Sequence, residues 1–96
     1  MAKAIRIGVD PSKGHCYPPK PCLNGSNNVL INGIGAVRVG DNYNQTHKCG
    51  KNSHSMGIAA EGSSTVYING KPVHRNGDLI NCGDHGNNGS NNVLVG

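Results

Sequence analysis

The sequence has no Phe and no Trp, and only three Tyr stand among its 34% apolar residues. A chain of 96 residues already buries a modest share of its unfolded surface, and without large aromatic side chains there is less still to bury. Fifteen Gly and fourteen Asn raise the entropy lost on folding and favour turns over helices. A domain so composed needs a staple, whether disulfides, a metal or a partner. Long apolar runs are missing too: none approaches the ~18 residues of a membrane span, and no charged-then-apolar leader opens the chain. The protein is therefore expected to be made and kept soluble, with no signal peptide. The nine Lys and Arg never stand side by side, so the formal charge of +4 reads as solubility rather than a phosphate-binding surface. No segment sustains a 3.6-residue period, which predicts a nearly all-β single domain over residues 1–96. Four cysteines, at 16, 22, 49 and 82, form no Cys-x-x-Cys pair. Their even number permits three disulfide pairings, but without a leader a reducing compartment with free thiols is expected.

What the chain does have is a phrase written three times: Gly25-Ser26-Asn27-Asn28-Val29-Leu30-Ile31-Asn32-Gly33, Gly62-Ser63-Ser64-Thr65-Val66-Tyr67-Ile68-Asn69-Gly70 and Gly89-Ser90-Asn91-Asn92-Val93-Leu94-Val95-Gly96. A second motif travels with it, as Arg38-Val39-Gly40-Asp41, Arg75-Asn76-Gly77-Asp78 and, with one residue inserted, Arg6-Ile7-Gly8-Val9-Asp10. Such self-similarity means one structural unit used three times. Asn32-Gly33 and Asn69-Gly70 lie between β-favouring runs, and two central residues able to take positive φ predict type I′ hairpins at both places. The third phrase stops at Gly96, where its turn would begin, so its strand is expected to pair with the N-terminal run Ala2–Ile7. Three related arms around a pseudo-three-fold axis follow, with a linear solenoid as the alternative.

Between the arms lie three loops, Pro11–Asn24, Asn42–Glu61 and Leu79–Asn88. They hold all four cysteines and four of the five histidines, so they are read as functional. Imidazole and thiolate suit zinc, held tetrahedrally at about 2.0–2.3 Å. The candidates are His15 and Cys16 in the first loop, His47, Cys49 and His54 in the second, and Cys82 and His85 in the third. Their spacing fits no finger or ribbon pattern, and polar loop residues facing solvent are the competing reading.

The cycle of Arg-x-Gly-Asp, loop and Gly-Ser-x-x-Val-x-Ile-Asn-Gly, followed by Gly35-Ala36-Val37-Arg38 and Pro72-Val73-His74-Arg75, resembles the PAAR-repeat family. Neither copy spells Pro-Ala-Ala-Arg in full. The resemblance covers essentially the whole chain. It implies a small cone that caps and sharpens the trimeric β-helical spike of a contractile injection machine, in a phage tail or a type VI secretion system, for envelope piercing. It also implies one structural zinc ion per chain at the apex, with His15, His47, His54 and Cys82 as ligands and Cys49 and His85 as alternates.

Three-fold internal symmetry would let one monomer sit on a trimer's end by adding strands and apolar faces. The equivalent triples Val29, Val66, Val93, then Leu30, Tyr67, Leu94, then Ile31, Ile68, Val95 are the contact candidates. Alternation turns one parity to the core and the other to the partner. The target membrane would be touched only transiently, and effector cargo can ride on such a tip. The expected location is a virion tail tip, or the cytoplasm before delivery by the secretion system; a sequence that is all repeat leaves no room for a fused toxin, favouring the phage or a stand-alone tip.

Other groups receive plainer roles. His74 is expected to be a surface or packed residue, Cys16 and Cys22 small thiols with a bridge between them as a minor alternative, and Arg6, Arg38 and Arg75 partners of Asp10, Asp41 and Asp78. No pair of groups suits acid–base or nucleophilic catalysis, so no enzyme is expected. The alternative function is a small zinc-stabilised nucleic-acid-binding module, disfavoured because clustered cations and stacking aromatics are lacking. A secreted disulfide-bonded domain is the third reading.

Overall fold

The two Asn-Gly pairs turn the chain as their chemistry predicts. In the computed structural model, which describes residues 2–14, 20–44, 47–49, 52–54, 57–81 and 84–96, Asn32 and Gly33 take φ of 55° and 79°, and Asn69 and Gly70 take 56° and 77°. Positive φ at both central residues is the type I′ signature, tolerated by Asn and free for Gly. Each turn joins a short hairpin: β2 (Leu30–Ile31) to β3 (Ile34–Gly35), and β8 (Tyr67–Ile68) to β9 (Lys71–Pro72). The third arm is completed by the N-terminus as expected, with β1 (Ala2–Lys3) antiparallel to β10 (Leu94–Val95) and Ala2 opposite Val95.

The arms close a ring, which excludes the linear solenoid. Backbone N–H groups of Val37, His74 and Ile5 donate to the carbonyls of Ile5, Val37 and His74 at 2.9, 3.0 and 3.3 Å, so three equivalent residues bond head to tail. Single bridges repeat the pattern one step out, pairing Arg6 with Ala36, Arg38 with Val73 and Arg75 with Ala4. A cyclic set of bonds leaves none of these central segments with an open edge.

The Gly-Ser turns are built alike. Each serine hydroxyl accepts the N–H of the residue three positions on, Ser26 from Val29 at 2.9 Å, Ser63 from Val66 at 2.9 Å and Ser90 from Val93 at 3.0 Å. This local capture replaces the ladder bonds that a tight turn lacks. The preceding glycines are there for close approach: a Cβ on Gly25, Gly62 or Gly89 would meet a backbone carbonyl at 2.5, 2.6 or 2.8 Å.

Two small cores follow. Ala4, Ile31, Ala36, Val73 and Val95, drawn from all three arms, fill the hairpin end. Ile5, Val37, Cys22, Tyr43, Ala59 and Ile80 fill the loop end, where the three-fold pattern is lost because the loops differ. The principal extents of 38 × 24 × 21 Å, one long and two nearly equal, fit a body with axial pseudo-symmetry.

One expectation changes. The second loop, read from sequence as irregular, carries paired strands: β4 (Asn42–Asn44) runs against β7 (Gly57–Ile58), and beyond them β5 (His47–Cys49) against β6 (Asn52–His54). Its polar residues show no alternation of the kind that marks a half-buried strand, so the ladder leaves no hydropathy signal.

Candidate functional site

At the loop end, backbone bonds stitch the three loops together. The first and third are joined by a Ser12–Gly86 bridge and by Lys13 N–H donating to the His85 carbonyl at 2.9 Å. The second and third are joined by an Ala59–Ile80 bridge and a reciprocal pair between Ile58 and Asn81, each 2.9 Å. The first and second are joined by Leu23 N–H to the Asn42 carbonyl and Asn42 N–H to the Asn24 side chain, both 2.7 Å.

Farther along the second loop, His47 and His54 occupy directly opposed positions of the β5–β6 ladder, and Cys49 lies two residues on, opposite Asn52. Opposed positions of an antiparallel pair fall on one face of the ribbon. His15 and Cys82 lie outside the described residues, as does Cys16. Among the described residues no group of three or more His, Cys, Asp or Glu gathers to hold a metal. His85 is exposed, its backbone committed to the first loop.

The titratable groups beneath the loops are structural. Cys22 is a free, buried thiol donating to the Asn24 and Asn42 carbonyls, and burial pushes its pKa up to about 12. Tyr43 is likewise raised by burial. His74 is fully buried at the axis, edge-on to Tyr43 with ring centroids 5.5 Å apart. Its Nδ1 lies 2.7 Å from the Glu61 carbonyl, which can only accept, so Nδ1 carries the proton. Burial holds its pKa below 6.5, outweighing the Glu61 bond.

The arginines are consumed within the fold. Arg6, Arg38 and Arg75 each clamp their aspartate through Nε and Nη2, with Nε–Oδ2 distances of 2.7, 2.9 and 2.8 Å. Their Nη1 groups reach across to the next arm, onto Asn32, Asn69 and the Gly96 carbonyl. Bonding to the aspartates raises all three arginine pKa values.

The hairpin end resolves the parity that sequence leaves open. Leu30, Tyr67 and Leu94 are 58%, 56% and 50% exposed, whereas Ile31 and Val95 are 7% and 6% exposed and belong to the core. Ile68 and Val93 pack half-buried against that core, and Val29 and Val66 remain exposed. Alternation thus commits Ile31 and Val95 to the interior. Asp84, at the loop end, is a residue sequence reasoning passed over; it stands in the string Cys82-Gly83-Asp84-His85, where only Cys and His were weighed.

A closed ring of three Gly-Ser/Asn-Gly arms, with polar loops at one end and an apolar triangle at the other, defines a class of small all-β three-arm fold. The model of the PAAR motif matches residues 15–85, and the chain belongs to that family. Two toxins of Pseudomonas aeruginosa are similar to it: the NAD(P)(+) glycohydrolase toxin Tse6 of strain PAO1 and the (p)ppApp synthetase toxin Tas1 of strain UCBPP-PA14. Each is 40% identical over 78 residues, which cover 77% of this chain and 18% of the relative. The chain thus spans under a fifth of either relative's length.

Proposed function

We propose that residues 1–96 act as a single domain that caps the three-fold end of a trimeric β-helical spike and forms the hard point of an injection machine. The observation that carries this reading is the exposed triangle of Leu30, Tyr67 and Leu94, one from each arm of a closed pseudo-three-fold ring. A monomer with that surface can meet three identical subunits at once. Membership in the PAAR family supports the same role.

The two toxins carry different activities in their names yet match this chain to the same extent, so the matched segment is not what distinguishes those activities. The proposed role of these 96 residues is accordingly mechanical rather than catalytic, with any toxin cargo attached to the tip or recruited by it. Toxin relatives also favour delivery by a type VI secretion system, where the all-repeat sequence favoured a phage or a stand-alone tip. The nucleic-acid-binding alternative is weakened because all three arginines are spent on aspartates.

The loop end is proposed to hold one zinc ion through His15, His47, His54 and Cys82. Three imidazoles and a thiolate are a donor set zinc prefers, and the opposed His47 and His54 together with the stitched loops suit a single shared ion. A bound zinc would supply a crosslink among three loops over a core that has no Phe or Trp.

The decisive experiment mixes the purified protein with the C-terminal β-helix fragment of its cognate spike. One copy per trimer is expected to co-elute; no co-elution at micromolar concentrations overturns the capping role. Elemental analysis in parallel should find about one zinc per chain, reduced in His47→Ala or Cys82→Ser, and a metal-free native preparation would remove the site.

A further inference from the structure

The loop end contains a buried carboxylate that the family resemblance and the arm repeats leave unexplained. Asp84 is 1% exposed, and each of its carboxylate oxygens accepts a backbone N–H: Oδ2 from Gly14 at 3.0 Å and Oδ1 from His85 at 2.8 Å. The two donors lie in different loops, Gly14 being 70 residues away in sequence. Its own carbonyl accepts the Ile80 N–H at 2.8 Å, so Asp84 is fixed to the base of the third loop as well. A carboxylate accepting backbone N–H groups makes charge-assisted bonds, stronger than neutral ones.

The sequence positions give those bonds their meaning. Gly14 immediately precedes His15, and Asp84 follows Cys82 by two residues. We infer that Asp84 is a positioning residue for the proposed metal site, holding the first-loop and third-loop backbones at the spacing His15 and Cys82 need to share one ion. This inference rests on the zinc reading above. It goes beyond that reading in assigning the loop spacing to a residue that is not a ligand.

Groups supporting ligands in this way are worth roughly 10–100-fold in metal affinity.

The test compares wild type with Asp84→Asn, which is nearly isosteric but uncharged and keeps one acceptor oxygen, and with Asp84→Ala. Zinc affinity is read by competition with a chromophoric chelator, and the ligand field by the visible spectrum of the cobalt(II) form. Both variants are expected to bind zinc about 10–100-fold more weakly, Ala more than Asn, with an altered cobalt spectrum. If chelated Asp84→Ala is unfolded, zinc-driven refolding followed by circular dichroism gives the apparent affinity, and Asp84→Asn, if folded, carries the comparison. Affinities within twofold of wild type and an unchanged cobalt spectrum in both variants overturn the positioning role while leaving the metal site standing. Wild-type protein that binds no zinc removes the site itself, a result that the same titration reads before any variant is made.

Discussion

His74 occupies an axial position where the other two arms place Ile5 and Val37. Its Nε2 is buried without a partner among the described residues, so the neutral ring is tolerated and a proton there would find no acceptor. The charged groups around it, Asp78 and Asp41 on one side and Arg75 on the other, oppose one another, and desolvation outweighs them all. A folded pKa held below the unfolded 6.5 means the unfolded chain binds the proton first. The stability this neutral histidine permits is complete above about pH 6.5 and falls as pH drops from there toward the folded value. His74→Val, which copies Val37, should lose about 1 kcal/mol near pH 7.5 because the Glu61 carbonyl is left bare, but should flatten the decline toward pH 5. Urea unfolding of zinc-free wild type and variant at both pH values measures it; parallel declines would contradict the assignment. From sequence, this residue was legible only as surface or packed, since its place in the ring depends on which arm bonds to which.

At the scale of elements, the Gly-Ser turns are more constrained than their appearance in a loop-rich sequence implies. Gly62 packs its bare Cα against the Val73 carbonyl, with a Cβ there reaching Val39 and Pro72 as well. Gly62→Ala should therefore cost about 1–3 kcal/mol by forcing the Gly-Ser turn away from the returning strand of its own arm and from Val39. For a domain of this size that lowers the melting temperature by roughly 4–8 °C per kcal/mol, measurable by thermal circular dichroism. Ser64→Ala, exposed in the same turn, is the control and should change little. Hairpins were legible because an Asn-Gly turn is a local necessity of positive φ. The β4–β7 and β5–β6 ladders were not, because their mostly polar residues, with Tyr43 and Ile58 isolated among them, carry no alternating pattern.

For the whole molecule, closure into a ring determines what is left over to bind. The central strand edges are consumed by the cyclic bonds, and the hairpin end offers apolar side chains, of which Leu30, Tyr67 and Leu94 are the most exposed. Replacing Leu30, Tyr67 and Leu94 together by Asp should abolish co-elution with the spike fragment, while stability changes by only about 0.5 kcal/mol per site. Leu30→Asp alone, removing one corner of three, should weaken the complex without eliminating it. Loss of binding accompanied by unfolding would instead make these residues part of the fold.

The sequence by itself determined the unit and its number: the thrice-written Gly-Ser phrase, the two Asn-Gly turns and the Arg–Asp pairs. Each of these is a local matter, fixed by φ preferences, short side-chain bonds and alternation. Only the tertiary structure decided that the arms bond head to tail around Ile5, Val37 and His74, that Leu30, Tyr67 and Leu94 rather than Ile31 and Val95 face outward, and that Asp84 joins Gly14 to His85. Those outcomes require residues up to 70 positions apart to be brought together, and composition and spacing carry no record of which distant backbone a buried carboxylate or an axial side chain will meet.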